Sequence, residues 1–141
     1  MASDTIHRSV SVERTSSGRF TIRNERGGEI TIGTGGDADF TPTELLLAAI
    51  GGCTAIDVDI FTARRAEPEA FEVTVEADKI RDGNGNRLTN LVTAFELAFP
   101  DGAGGDAARA LLPDAVQRSH DRLCTVGRTV ELGTPIETTI R

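Results

Sequence analysis

Residues 41–58 read TPTELLLAAIGGCTAIDV, and this stretch decides how the rest of the chain is read. Thr41 offers a hydroxyl at an N-cap and Pro42 stands where the first helical N–H lacks a partner anyway. Glu44 follows three residues after the cap, so two orphan backbone donors are satisfied reciprocally. The spacing predicts a helix through Leu45, Ile50, Cys53 and Ile56 towards Arg64-Arg65, with a stop before Pro68. Its first half is apolar on every side, the mark of a central, buried helix. Gly51 and Gly52 inside it each cost about 1 kcal/mol relative to Ala, so another backbone is expected to come near them.

Before this helix, Val10–Val12, Phe20–Ile22 and Ile30–Ile32 alternate apolar positions between Ser-Ser-Gly and Arg-Gly-Gly turns, which predicts a three-stranded meander. After it, Phe71, Val73, Val75 and Ala77 alternate with Glu72, Thr74, Glu76 and Asp78, and Leu91, Thr93, Phe95, Leu97 and Phe99 return on the far side of Asp82–Asn86. That is a long β-hairpin with one wet face. Ala107 to Leu112 suggest a second helix, expected to break and restart at Pro113-Asp114 and to end near Cys124. A short helix over 125–132, stopped by Gly133-Thr134-Pro135, and a final strand at Ile136–Ile140 complete an α+β chain read as one domain, 1–141.

The composition limits what such a domain does. Its 141 residues can hold an ordinary core, but with 38% hydrophobic content, six Phe and no Trp or Tyr that core is lean, which favours burial against a partner subunit. A net charge of −7 argues against nucleic acid, whose phosphates require clustered Lys and Arg. No run of about 20 apolar residues is evident and 1–14 has no apolar signal core, so the expected location is the cytoplasm, with no membrane partner. In that reducing compartment, two cysteines far apart in sequence are free, buried, metal-binding or redox-active rather than a permanent staple.

Those cysteines, Cys53 and Cys124, are the candidates for chemistry, because a thiolate attacks peroxides and a second thiol captures the resulting sulfenic acid. The competing reading is two small apolar groups packed in a core. Glu44 is nine residues before Cys53, roughly 13 Å along a helix, so capping accounts for it unless the site is assembled from several segments. His120 stands four residues before Cys124, a spacing that shares a face on a continuous helix. With only two histidines and no paired-cysteine motif, metal ligation is not expected. The glycine-rich loops lack the order of a dinucleotide or phosphate site.

Taken in order, the meander, the Thr-Pro-x-Glu-Leu-Leu-Leu-Ala-Ala-x-Gly-Gly-Cys helix, the long hairpin, the broken helix, His120-x-x-x-Cys124-x-Val126 and a last strand resemble the osmotically inducible protein C / organic hydroperoxide resistance family. The branch with Gly-Gly-Cys-Thr-Ala-Ile-Asp-Val, here Gly51 to Val58, is the most similar. The resemblance implies an intertwined homodimer with two central helices wrapped by sheets from both chains. It implies thiol-dependent reduction of organic hydroperoxides in oxidative-stress defence, with Cys53 peroxidatic and Cys124 resolving. A dithiol, such as protein-bound dihydrolipoyl groups, would restore the thiols, and no metal, haem or flavin cofactor is implied. Family peroxidases place a glutamate directly after the proline. Here that position is Thr43, and Glu44 comes one residue later, about 100° further round the helix. Their arginine comes from the N-terminal strands, where Arg19 is the candidate and Ser16 holds the aligned place. The alternative on the same fold is a non-enzymatic ligand-binding or redox-sensing protein.

Overall fold

The computed structural model describes residues 4–141, and their backbone divides into two units, the first ending at Leu46 and the second covering Leu47–Arg141. In the first, β1 (Val10–Ser16), β2 (Arg19–Asn24) and β3 (Glu29–Ile32) form the expected antiparallel meander. The register sets Val12, Ile22 and Ile30 side by side. Arg23 lies on the other face and reaches Glu29 at 2.8 Å and Glu13 at 3.7 Å. A period-two sequence has thus sorted itself into an apolar and a charged face. Val12 and Ile30 remain exposed within the chain. After β3, Gly33 N–H donates to Phe40 O at 3.1 Å, which delivers the chain to Thr41.

Helix α1 (Pro42–Thr62) begins there and runs on through the second unit. Its start is the reciprocal cap read from the sequence. Thr41 N–H donates to Glu44 Oε1 at 2.8 Å, and Glu44 N–H donates to Thr41 Oγ1 at 3.1 Å. Three expectations about α1 require correction. Within the single chain it is not buried all round: Gly51, Thr54, Val58 and Thr62 form one buried stripe, while Ile56 and Ile60 on the far side are 63% and 50% exposed. What approaches Gly51 is a side chain and not a backbone, since a Cβ there would lie 2.7 Å from Val75 Cγ2, whereas Gly52 opens onto empty space. Finally, α1 is long and apolar enough to cross a membrane, with a mean hydropathy of 1.7 over its most apolar part. Interspersed Gly, Thr and Asp break the apolar run along that length. Its buried stripe is that of a helix packed on other elements.

In the second unit β4 (Ala70–Asp82) and β5 (Gly85–Ala98) make the long hairpin, closed by the two-residue turn Gly83-Asn84, where Asn84 N–H donates to Asp82 Oδ1 at 2.8 Å. The register shifts between Glu76 and Asp78. Opposite, Asn90 takes φ 54° and its side-chain amide donates to Asp78 Oδ2 at 2.8 Å. This bulge resets the alternation, so Leu91, Thr93 and Phe95 line a common cavity.

Helix α2 (Ala103–Arg118) starts on Gly104-Gly105 because anything larger would collide. A Cβ at Gly104 would stand 2.6 Å from Arg65 O, and one at Gly105 would stand 1.7 Å from Pro100 O. The expected break at Pro113 does not occur: the helix continues through it to Arg118. Pro113 and Arg109, whose carbonyl loses its helical partner, are both exposed, so water takes up what the proline denies. The irregularity comes later, as a π-helical turn over Ser119–Leu123, after which α3 (Thr125–Glu131) forms as expected. The strand expected at Ile136–Ile140 is not formed. That segment pairs with no strand, and Ile140 is 99% exposed; an extended segment without a neighbouring ladder has nothing to hold it.

Candidate active site

Within the second unit the fold brings Cys53, in the middle of α1, to Cys124, at the junction of the π-turn and α3. Both are free, Cys53 partly accessible and Cys124 only 3% exposed. Cys124 leaves helical geometry, with φ −72° and ψ 97°, and caps α3 with its own sulfur: Gly127 N–H donates to Cys124 Sγ at 3.3 Å. Gly127 has no Cβ, and one built there would already lie 3.3 Å from that sulfur. Burial pushes the Cys124 thiol above the ordinary thiol range. The Gly127 N–H opposes this, while the adjacent Cys53 thiol and the Asp57 carboxylate add to it. The two sulfurs therefore differ in accessibility, Cys53 partly open and Cys124 buried.

Three residues that the sequence reading passed over hold this junction together. Ser119 is fully buried; its hydroxyl donates to Asp57 Oδ2 at 2.8 Å and lies 2.7 Å from Thr54 Oγ1. Its carbonyl accepts Cys124 N–H at 2.8 Å, the bond that closes the π-turn. Thr54 follows Cys53 directly and Asp57 comes one helical turn after it, which was the available signal. Beside the junction is a cavity of about 470 Å³, lined by Ile50, Leu91, Phe95, Val116 and Val130 among others, with Thr54, Cys124, His120 and Glu131 also in its wall.

His120 faces neither thiol with its ring nitrogens. Nδ1 is 2.9 Å from Asp121 Oδ1 and Nε2 is 3.0 Å from Glu131 Oε1, so the hydrogen bond with Asp121 and the charge of Glu131 raise its pKa above the usual imidazole value. It is a surface clamp between the π-turn and α3. In the first unit, Arg19 pairs with both Asp37 and Asp39. Glu44 is held below the usual carboxylate range by the Thr41 N–H it accepts. Both candidate helpers are thus committed to partners within the first unit. No group of three or more metal-ligating side chains is present among the described residues.

The family model described as OsmC-like protein matches residues 34–139. The chain belongs to the OsmC-like family. An uncharacterised protein of Mycobacterium tuberculosis is 30% identical over 126 residues, covering 89% of this chain and 90% of that one. An OsmC-like protein of unknown function from Vibrio cholerae superposes with a TM-score of 0.73 at 16% identity, over 90% of this chain and 95% of that one. The organic hydroperoxide resistance protein OhrB of Bacillus subtilis superposes with a TM-score of 0.58 at 14% identity, over 88% and 90%. The OsmC-like match includes both cysteines, the Thr54–Asp57–Ser119 contacts and Glu44, and begins after Arg19.

Proposed function

We propose that this OsmC-like protein reduces organic hydroperoxides with Cys53 as nucleophile and Cys124 as resolving thiol. The observation that carries this is the juxtaposition of a partly accessible Cys53 with a buried Cys124 that lies in the wall of a largely apolar cavity. The hydroperoxide resistance of the Bacillus subtilis neighbour's name supports the substrate class. The Cys53 thiolate attacks the peroxide: an S–O bond forms, the O–O bond breaks, and the alkoxide leaves and takes a proton as the alcohol, the sulfur losing two electrons. Cys124 then attacks the sulfenic sulfur; the S–S bond forms and hydroxide departs with the Cys124 proton as water. An external dithiol, the dihydrolipoyl class included, reduces the disulfide and is itself oxidised. The expected result is consumption of cumene or tert-butyl hydroperoxide with dithiothreitol or dihydrolipoamide, lost on Cys53→Ser. An unchanged rate in that variant would sink the assignment.

The local commitments of Glu44 and Arg19 favour a second reading, a binding or redox-sensing protein on this fold. Intact mass after one equivalent of peroxide separates them, since rapid loss of two hydrogens belongs to the reductase and slow or absent oxidation to ligand binding.

We also propose a homodimer in a reducing, cytoplasmic setting. Gly52, Ile56 and Ile60, at successive turns of α1, face outward with open space beyond Gly52, and the Val12–Ile22–Ile30 row of the meander is half open. Sedimentation is expected to give a dimer for the native chain and a smaller species for Ile56→Glu; a native monomer refutes it.

A further inference from the structure

The reaction above uses Cys53 and Cys124 but leaves unused a cluster of polar side chains between them, in which Thr54 and Ser119 are buried and Asp57 is half-buried. Thr54 and Asp57 follow Cys53 on α1, and both hold the hydroxyl of Ser119, at 2.7 and 2.8 Å. Ser119 in turn accepts the N–H of Cys124 at 2.8 Å. Given these partners, the hydroxyl protons run one way: Thr54 donates to Ser119, and Ser119 donates to Asp57, which as a carboxylate only accepts. A fully buried serine with every partner supplied by the two segments that carry the sulfurs is a fixed strut. Satisfied in this way it holds one geometry, and with a partner removed it leaves a buried polar group unpaired.

We propose that Asp57 is a positioning residue that, through Ser119, sets the backbone of Cys124 against Cys53 and so favours the disulfide between them. No other hydrogen bond between side chains ties α1 to the π-turn among the described residues. α2 runs straight into that turn without a loop, so losing the strut frees Cys124 to move away while its own helix cap on α3 is kept. The Asp57 carboxylate takes its hydrogen bond from Ser119 and none from either sulfur. Its effect lies in how often the second sulfur is found where the first can use it, an effective-concentration term.

This rests on reading the cysteines as a redox pair, so the test uses their equilibrium with glutathione and needs no peroxide turnover. In that exchange the two protein thiols give two electrons to glutathione disulfide, forming the Cys53–Cys124 bond and releasing two glutathione thiols. The equilibrium constant is read by intact mass on full-length protein whose helical circular dichroism is native. The expected result is a fall of about tenfold or more in Ser119→Ala and Asp57→Ala, a rise in potential of about 30 mV. Asp57→Asn, whose amide oxygen still accepts from Ser119, recovers at least half of that loss on a logarithmic scale. Asp59→Asn, the same charge change at an exposed position of α1, stays within twofold of native. Native values in Ser119→Ala, or an Asp57→Asn protein as impaired as Asp57→Ala, overturn the inference alone. A native protein that forms no internal disulfide overturns it together with the reductase reading.

Discussion

The meander unit and the cysteine unit solve the same problem, a charged side chain in need of a partner, in opposite ways. Arg19 takes its partners from Asp37 and Asp39 in the loop that follows its own sheet, and all three are exposed to a similar degree. Asp57 takes a neutral hydroxyl from a fully buried serine 62 residues away. Exposed ion pairs are screened by salt and lose side-chain entropy, so they contribute little. A buried hydroxyl whose only partners come from another segment fails conspicuously when either is removed. The first arrangement marks local order in the chain; the second specifies where two distant segments meet. Polar side chains in the cysteine unit therefore carry information about geometry, and those of the meander mainly about solubility.

The strongest way to break that contrast is at the close backbone approach in the cysteine unit. Gly105→Ala would place a methyl carbon 1.7 Å from Pro100 O, a collision with backbone that no rotamer relieves. Alanine gains about 1 kcal/mol of helix propensity, while overpacking of this kind costs about 3 kcal/mol or more. The expected balance is a loss of about 2 kcal/mol, measured as a lower midpoint in urea. A variant as stable as native would mean that Pro100 yields easily and that the approach is not a constraint. Next in size is the cap that opens α1 in the meander unit: Thr41→Ala removes the acceptor of Glu44 N–H and is expected to cost about 1 kcal/mol. Equality of the two losses would erase the contrast between the units.

The difference also explains which features are legible in the sequence alone. Features whose partners lie within a few residues were legible: the Thr41–Glu44 cap, the meander turns, the Gly83-Asn84 hairpin turn, and α3 with its stop before Pro135. The π-turn was not, because a bond from Cys124 N–H to Ser119 O depends on tertiary packing and has no residue signature. Pro113 misled because a proline's effect on a helix depends on whether the freed carbonyl reaches water, and that depends on orientation. At the site, both cysteines were found from chemical type alone. Asp57 and Ser119 looked like a polar residue on a helix and a serine before a histidine, and only the contact across 62 residues gives them meaning.

The smallest expected effect sharpens the comparison through pH. In the meander unit Asp37 lies below the usual carboxylate range, first through its hydrogen bond from Arg19 and then through Asp39 N–H. A depressed carboxylate contributes stability that is complete above its unfolded pKa near 3.8 and is lost as pH falls through the folded value. In the cysteine unit His120 lies above the usual imidazole value because Asp121 and Glu131 face its two nitrogens. A raised histidine contributes stability that is complete below its unfolded pKa of about 6.5 and is lost as pH rises through the folded value. Acid should therefore loosen Arg19 from its loop, while mild alkali should loosen α3 from the π-turn. All these groups are well exposed, so solvent screening keeps both effects small. Amide exchange followed by mass spectrometry can still assign each to its segment, provided rates are corrected for the intrinsic pH dependence of exchange. Corrected protection in 125–131 should fall between pH 6 and 8 in native protein and not in His120→Gln, with the meander unchanged. A fall shared by both proteins would assign the loosening to another group and remove His120 as the clamp.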